Sequence, residues 1–347
     1  MMYDRIGEIL STRPVAPCAG TVLGRSRQGR AVRGFRFGTG ARRISLLAGC
    51  HADEPVGPLM LRHFLAYLSQ LAPDDIMLTD YQWWIAPHIN PDGEARNRRW
   101  YHDRVEVFDL LAYLSYQIRE LPGDDIEFGF PRNSEDTQAR PENRAVYEWW
   151  RTAAGHFALH VSLHGMGFAA GPWFLIEPAW RDRCDSLKQR CMSRVDELGY
   201  SLHDVEREGE KGFFRIQRGF CTRPDSNSMR AYFMKQGDRV TAELFRPSSM
   251  ETIRALGGDP LTLVSEMPLF LTPGVGERIG PPDTAAAEWK TRIDRWRSML
   301  TKDGTDDDLR READEAGLRP MPIRDQMELQ LTFVFAGIDL VTAGGVY

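Results

Sequence analysis

Long apolar runs are missing from this chain of 347 residues. No stretch reaches the roughly 18–20 uninterrupted apolar residues that a membrane helix needs, and the N-terminus "MMYDRIGEILSTRPVAPC" lacks the apolar core of a secretory leader. A cytoplasmic protein with no membrane partner is therefore expected. Cysteine is sparse as well: Cys18, Cys50, Cys184, Cys191 and Cys221 form an odd, scattered set without a Cys-x-x-Cys pair, which argues against a disulfide framework and against a thiolate zinc site. Any metal must then be held by His and carboxylate side chains. Basic charge is not in excess either, since 44 Lys and Arg stand against 49 Asp and Glu for a net charge of −5. Without a basic field to draw a phosphate backbone, nucleic acid is not an expected partner. The "GTG" at 38–40 precedes a strand pattern instead of following one, so it is not a dinucleotide-binding turn. No internal repeat is present.

What the chain does have is the balance of a globular protein, with 42% hydrophobic and 27% charged residues, enough for one large domain or two. Residues 19–41 alternate Gly and Arg with apolar positions and read as short antiparallel strands, Arg25, Arg27, Arg30 and Arg33 forming a solvated face. Strand and helix patterns then alternate: "RISLLAGC", "PVGPLMLRHFLAYLSQL", "YQWWIAPHIN", "PENRAVYEWWRTAAG", "FALHVSLHG", "PWFLIEP", a helix near 180–199, and "DPLTLVSEMPLF". This order predicts an α/β fold, a mixed twisted β-sheet of about eight strands with helices on both faces. Beyond "TPGVGERIGPPD" the chain turns to charged amphipathic helices, which predicts a helical C-terminal extension. The pairs Trp83-Trp84 and Trp149-Trp150 read as core.

In open α/β sheets, ligands bind at the carboxyl ends of the strands. Three predicted strands finish there in His or Glu: the first gives His51 and Glu54, "HVSLHG" gives His164, and "LTLVSEMP" gives Glu266. Two His and one Glu are an established zinc donor set that leaves a fourth position for water, and residues three apart on a turn entering a helix face one side. Taken alone, "ADEPVG" is equally well an acidic first turn that complements a helix dipole.

Taken in order, these segments resemble the zinc metallocarboxypeptidase superfamily of the carboxypeptidase A type, including its bacterial members that act on cell-wall peptides. The resemblance runs through "GRSRQGR" (Gly24 to Arg30), "GCHADEPVG" (Gly49 to Gly57), "NPDG" (Asn90 to Gly93), Leu163-His164 and the late "SSMETIRALGGDPLTLVSEMP". It implies a catalytic domain over 1–280 with the helical extension 281–347 packed on it. It also implies one zinc ion per chain on His51, Glu54 and His164, a water activated by that metal, and a glutamate base. Glu266 is preferred for the base over Glu243 in "VTAELFRP". The family's carbonyl-polarising arginine falls within "EARNRRW", where Arg98 fits the spacing better than Arg96 or Arg99.

The likeness breaks where the family grips a substrate's terminal carboxylate. In "DDIEFGFPRN" the family's Asn-Arg positions carry Glu127 and Phe128, which cannot form a bidentate carboxylate clamp. Arg132 is a candidate substitute grip, and Glu127 a candidate contact for a cationic group. Phe245 stands nearest the position of the family's substrate-covering tyrosine, with Tyr232 further upstream. The expected function is hydrolysis of an amide bond in a small peptide or peptide-like substrate. The alternatives are N-acyl amino acid deacylation, as in the related succinylglutamate desuccinylase/aspartoacylase branch, and a non-catalytic zinc protein acting through a partner.

Overall fold

The computed structural model describes residues 2–14, 20–101, 106–204, 206, 208–276, 284–300 and 306–343. Cys18 and the expected domain boundary at 280/281 lie outside the described residues. Ten strands make one sheet: β1 (Thr21–Arg25), β2 (Ala31–Phe37), β3 (Arg42–Ala48), β4 (Tyr81–Ala86), β5 (Leu159–Ala169), β6 (Trp173–Ile176), β7 (Arg215–Gln217), β8 (Phe220–Thr222), β9 (Leu261–Leu271) and β10 (Arg319–Pro320). Their order is β1-β2-β4-β3-β5-β9-β6-β8-β7, with β10 beside the end of β9. The centre, β4-β3-β5-β9, is parallel, and β2 and β6 flank it antiparallel. The expected mixed α/β sheet is thus what forms, with two more strands than the sequence suggested.

Central strands are buried and largely apolar because helices cover both faces. In β3 the side chains alternate: Ile44, Leu46 and Ala48 join the larger core with the helices Val56–Leu68, Asp185–Glu197 and Ile323–Ala343, whereas Leu47 joins Trp84, Val146, Trp150 and Ile253 on the other face. All four tryptophans of the two Trp-Trp pairs are buried. The C-terminal region is helical as expected, and its last helix, Ile323–Ala343, packs against β5 and β9. Among the described residues no helix is long and apolar enough to cross a membrane.

"NPDG" and "GRSRQGR" meet in space. Asn90 caps the helix Pro91–Asn97, its Oδ1 accepting from Gly93 N at 3.0 Å, with Pro91 in the first turn. Asp92 accepts from Ser26 Oγ (2.7 Å), Gln28 N (3.0 Å) and Arg30 Nη1 (2.8 Å), tying the β1–β2 turn to this helix. Both segments are scaffold.

On the same helix Glu94, 13% exposed, pairs with Arg62 and Arg98. Burial pushes its carboxyl up, but His88, Arg62 and Arg98 outweigh that and hold it down at about 2. A depressed folded value contributes stability that is present above the unfolded value near 4.5 and is lost as pH falls toward 2. Glu94→Gln should cost ~2 kcal/mol of unfolding free energy at pH 7, and this difference should vanish across that acid window when both proteins are unfolded with denaturant at a series of pH values.

Candidate metal centre

Three side chains converge just past the carboxyl end of β3 and at the middle of β5, which runs on to Ala169 instead of closing at His164 as expected. After β3 the chain turns through Gly49, whose φ of +71° suits glycine, and a Cβ there would lie 2.5 Å from the His88 ring. The turn delivers His51 and Glu54 just ahead of the helix Val56–Leu68. That helix starts hard against β5, since a Cβ on Gly57 would meet Leu163 at 2.8 Å. His164, the next residue of β5, is thereby brought to the pair. His51 Nδ1 lies 2.8 Å from Glu54 Oε1, and His164 Nδ1 lies 2.9 Å from Glu54 Oε2 and 3.1 Å from His51 Nδ1.

Glu266 stands beside them by strand register: its Cα pairs with His164 across β5–β9 and with Trp173 across β6–β9. Neighbours in a parallel ladder point to the same face, so Glu266 and His164 look the same way. Glu243, the alternative base, is 58% exposed and paired with Arg239 at the surface.

The charges of the cluster answer one another. Burial pushes the Glu54 carboxyl up, yet His51, Arg119 and His164 hold it well below the usual range. Burial and Arg119 press the His51 imidazole down, but Glu54 and Asp125 outweigh them and carry it to about 10. His164 is likewise raised against its burial, chiefly by Glu54. Burial and then the charge of Glu54 push the Glu266 carboxyl up to about 8, outweighing the opposite pull of His164, His51 and Arg119.

The arginine at this cluster is Arg119, a correction to Arg98. Arg119 Nη1 donates to Glu54 Oε1 at 3.0 Å and to Asp53 Oδ1 at 3.2 Å. Arg98 turns away, half exposed, onto Glu94 of its own helix. The "EARNRRW" stretch contributes instead through Asn97, whose amide bonds both backbone groups of Ile118 (2.8 and 2.9 Å), while Asn90 Nδ2 donates to Glu120 Oε1 at 3.0 Å. Residues 118–120 are thus fixed on both sides of Arg119.

Glu127, Phe128, Arg132 and Phe245 are also placed differently from expectation. Glu127 is buried behind His164, its Oε2 3.1 Å from His164 Nε2, so it cannot greet a substrate's cation. Phe128 is buried edge-on against Phe245, which stacks on Phe233. Arg132 donates to the backbone carbonyls of Glu243 and Phe245, both at 3.4 Å, which occupies it in holding that loop. Sequence reasoning missed Asp125, whose Oδ1 lies 3.4 Å from His51 Nε2. Asp125 and Glu127 are two apart in a tight turn, where Glu127 N donates to Asp125 Oδ1 at 2.8 Å, and each stands behind one histidine.

The donor set His51, Glu54 and His164 suits zinc: three N and O atoms within reach of one ion, each histidine backed through its other nitrogen by a carboxylate. A tetrahedral ion at about 2.0–2.1 Å would set donor atoms about 3.3 Å apart, so the cluster needs to open by a few tenths of an ångström. Cys50, Glu127 and His164 Nε2 form a second convergent set. All three are buried, which leaves no open side for a substrate, and burial pushes the Cys50 thiol up, away from the thiolate that binds metals. The first set has the open side, with His51 15% exposed.

Known proteins bear on this arrangement. The sequence profile of the family described as zinc carboxypeptidase matches residues 18–174. Zinc carboxypeptidase A 1 of Anopheles gambiae is 33% identical over 85 residues, covering 22% of this chain and 20% of that protein. Carboxypeptidase M of Mus musculus is 28% identical over 137 residues, covering 38% of this chain and 28% of its own. The matched parts therefore span less than a third of either curated relative. Among solved structures, a candidate metallopeptidase from Shewanella amazonensis SB2B has a TM-score of 0.50 over 96% of this chain and 91% of its own, at 13% identity, a likeness of fold.

Proposed function

We propose, from the match of residues 18–174 to the zinc carboxypeptidase profile, that this chain is a cytoplasmic zinc-dependent hydrolase that cuts an amide bond in a peptide or peptide-like substrate. One zinc ion would be held by His51, Glu54 and His164. The observation that carries the reading is the convergence of these three donors with Glu266 in register beside His164. When bound, the ion supplies a water activated near neutral pH and a polarised carbonyl.

Glu266, beside His164, would serve as the general base toward water and return the proton to the leaving amine. Its raised carboxyl marks it as a strong enough base for the task once ionised. Arg119 is anchored to Glu54 through Nη1 alone and keeps its Nε and Nη2 donors for a developing oxyanion. Asp125 and Glu127 fix the histidines from behind.

On the substrate side, none of the residues expected at the position of a carboxylate clamp is placed to act as one. Glu127 faces inward, Phe128 is packed among phenylalanines and Arg132 is engaged with the backbone. This favours substrates without a free terminal carboxylate at that point, and keeps N-acyl amino acid deacylation as a second reading.

Three outcomes are expected. Purified protein should carry zinc that His164→Ala loses, whereas Glu266→Gln should keep the metal and lose about 10²–10⁴-fold in kcat, measured by metal analysis and amine release; metal without turnover of any amide in the wild type would leave a non-catalytic zinc protein. Arg119→Ala should lower kcat by about 10²–10³-fold while Arg98→Ala stays near wild type, and the reverse pattern would restore Arg98. In a screen of peptides, cell-wall peptides and N-acyl amino acids, amidating the substrate's C-terminal carboxylate should change kcat/KM by less than about 1 kcal/mol; strong dependence on the free carboxylate would mean a clamp built from other residues.

A further inference from the structure

We propose that Glu127 is a positioning residue that fixes His164 from behind in the tautomer offering Nδ1 to the metal. The proposal rests on the reading that His51, Glu54 and His164 hold zinc.

Both ring nitrogens of His164 are engaged on opposite sides. Nδ1 faces Glu54 Oε2 at 2.9 Å, inside the donor cluster, and Nε2 faces Ser162 Oγ at 2.8 Å and Glu127 Oε2 at 3.1 Å. A hydroxyl can donate or accept, so Ser162 leaves the proton's place open. An ionised carboxylate only accepts, so Glu127 requires the proton on Nε2 and leaves the Nδ1 lone pair for the ion.

Among the described residues no cation other than His164 is in contact with that carboxylate, whose remaining close neighbour is the Cys50 thiol, kept neutral by its burial. Glu127 is 4% exposed, no lysine or arginine pairs with it, and its Oε1 is buried without a hydrogen-bond partner. Its charge therefore falls on the imidazole, which makes His164 a more basic ligand.

The backbone gives Glu127 no freedom to swing toward a substrate. Asn143 Nδ2 donates to Ile126 O at 2.7 Å, Glu127 N to Asp125 Oδ1 at 2.8 Å, Arg246 N to Phe128 O at 2.9 Å and Phe130 N to Pro247 O at 3.0 Å. A position at which substrate recognition was expected thus serves the metal ligand.

The test uses the full chain loaded with zinc. Nitrogen-15 NMR of labelled histidines should find His164 protonated at Nε2 and metal-bound at Nδ1 in the wild type. Glu127→Gln should weaken zinc binding about 10–100-fold in competition with a chromophoric chelator, beyond any change in the melting temperature of the metal-free protein. Cys50→Ala should leave affinity within about twofold. Metal on Nε2, unchanged affinity in Glu127→Gln, or an equal loss in Cys50→Ala would each overturn the proposal. If Glu127→Gln does not fold, the wild-type spectrum alone decides. A wild type that binds no zinc would instead remove the metal reading on which the proposal stands.

Discussion

A carboxylate withdrawn from water must have its charge answered nearby, and Glu54 is 4% exposed. His51 and His164 take one oxygen each, and Arg119 adds a donor to the oxygen facing His51. Those three partners come from the turn after β3, from β5 and from the segment held by Asn97. Glu54 is thus the point at which three separate parts of the chain are made to agree. The charge of Glu54 in turn raises both imidazoles despite their burial. A dication among the same atoms would replace the imidazole protons.

The four residues carrying the proposed chemistry were legible because each follows an apolar run, where periodicity is strong and the position is fixed by the sheet, although β5 and β9 do not finish at His164 and Glu266 as expected but run on to Ala169 and Leu271. His51, Glu54, His164 and Glu266 come together through β3, β5 and β9, three neighbouring strands of the buried parallel centre. The arginine was misplaced for a physical reason. Arg98 sits on a short helix and is captured by Glu94 four residues earlier; Arg119 lies in "YQIRE", with no pattern of its own, and reaches the site only because Asn97 and Asn90 bond the residues beside it. The stretch after 199 looked irregular because β7 and β8 are three residues each, too short to show a period. Glu127 was read outward because sequence gives residue type and spacing, while its direction depends on bonds from Asn143 and Arg246 far along the chain.

The C-terminal region shows how far the site's support extends. Gln330, fully buried on the last helix, donates through Nε2 to His164 O and to Ser265 Oγ, both at 3.2 Å. It grips β5 and β9 from the far face of the sheet, directly behind the two strands that present His164 and Glu266. The register between those strands sets the distance between His164, the proposed metal ligand, and Glu266, the proposed base, and a shift of one residue would turn Glu266 to the opposite face. A helix that sequence alone marks only as a charged tail's end therefore bonds the very ladder on which the chemistry depends, so the tail is tied to the site through the sheet and not merely packed against it.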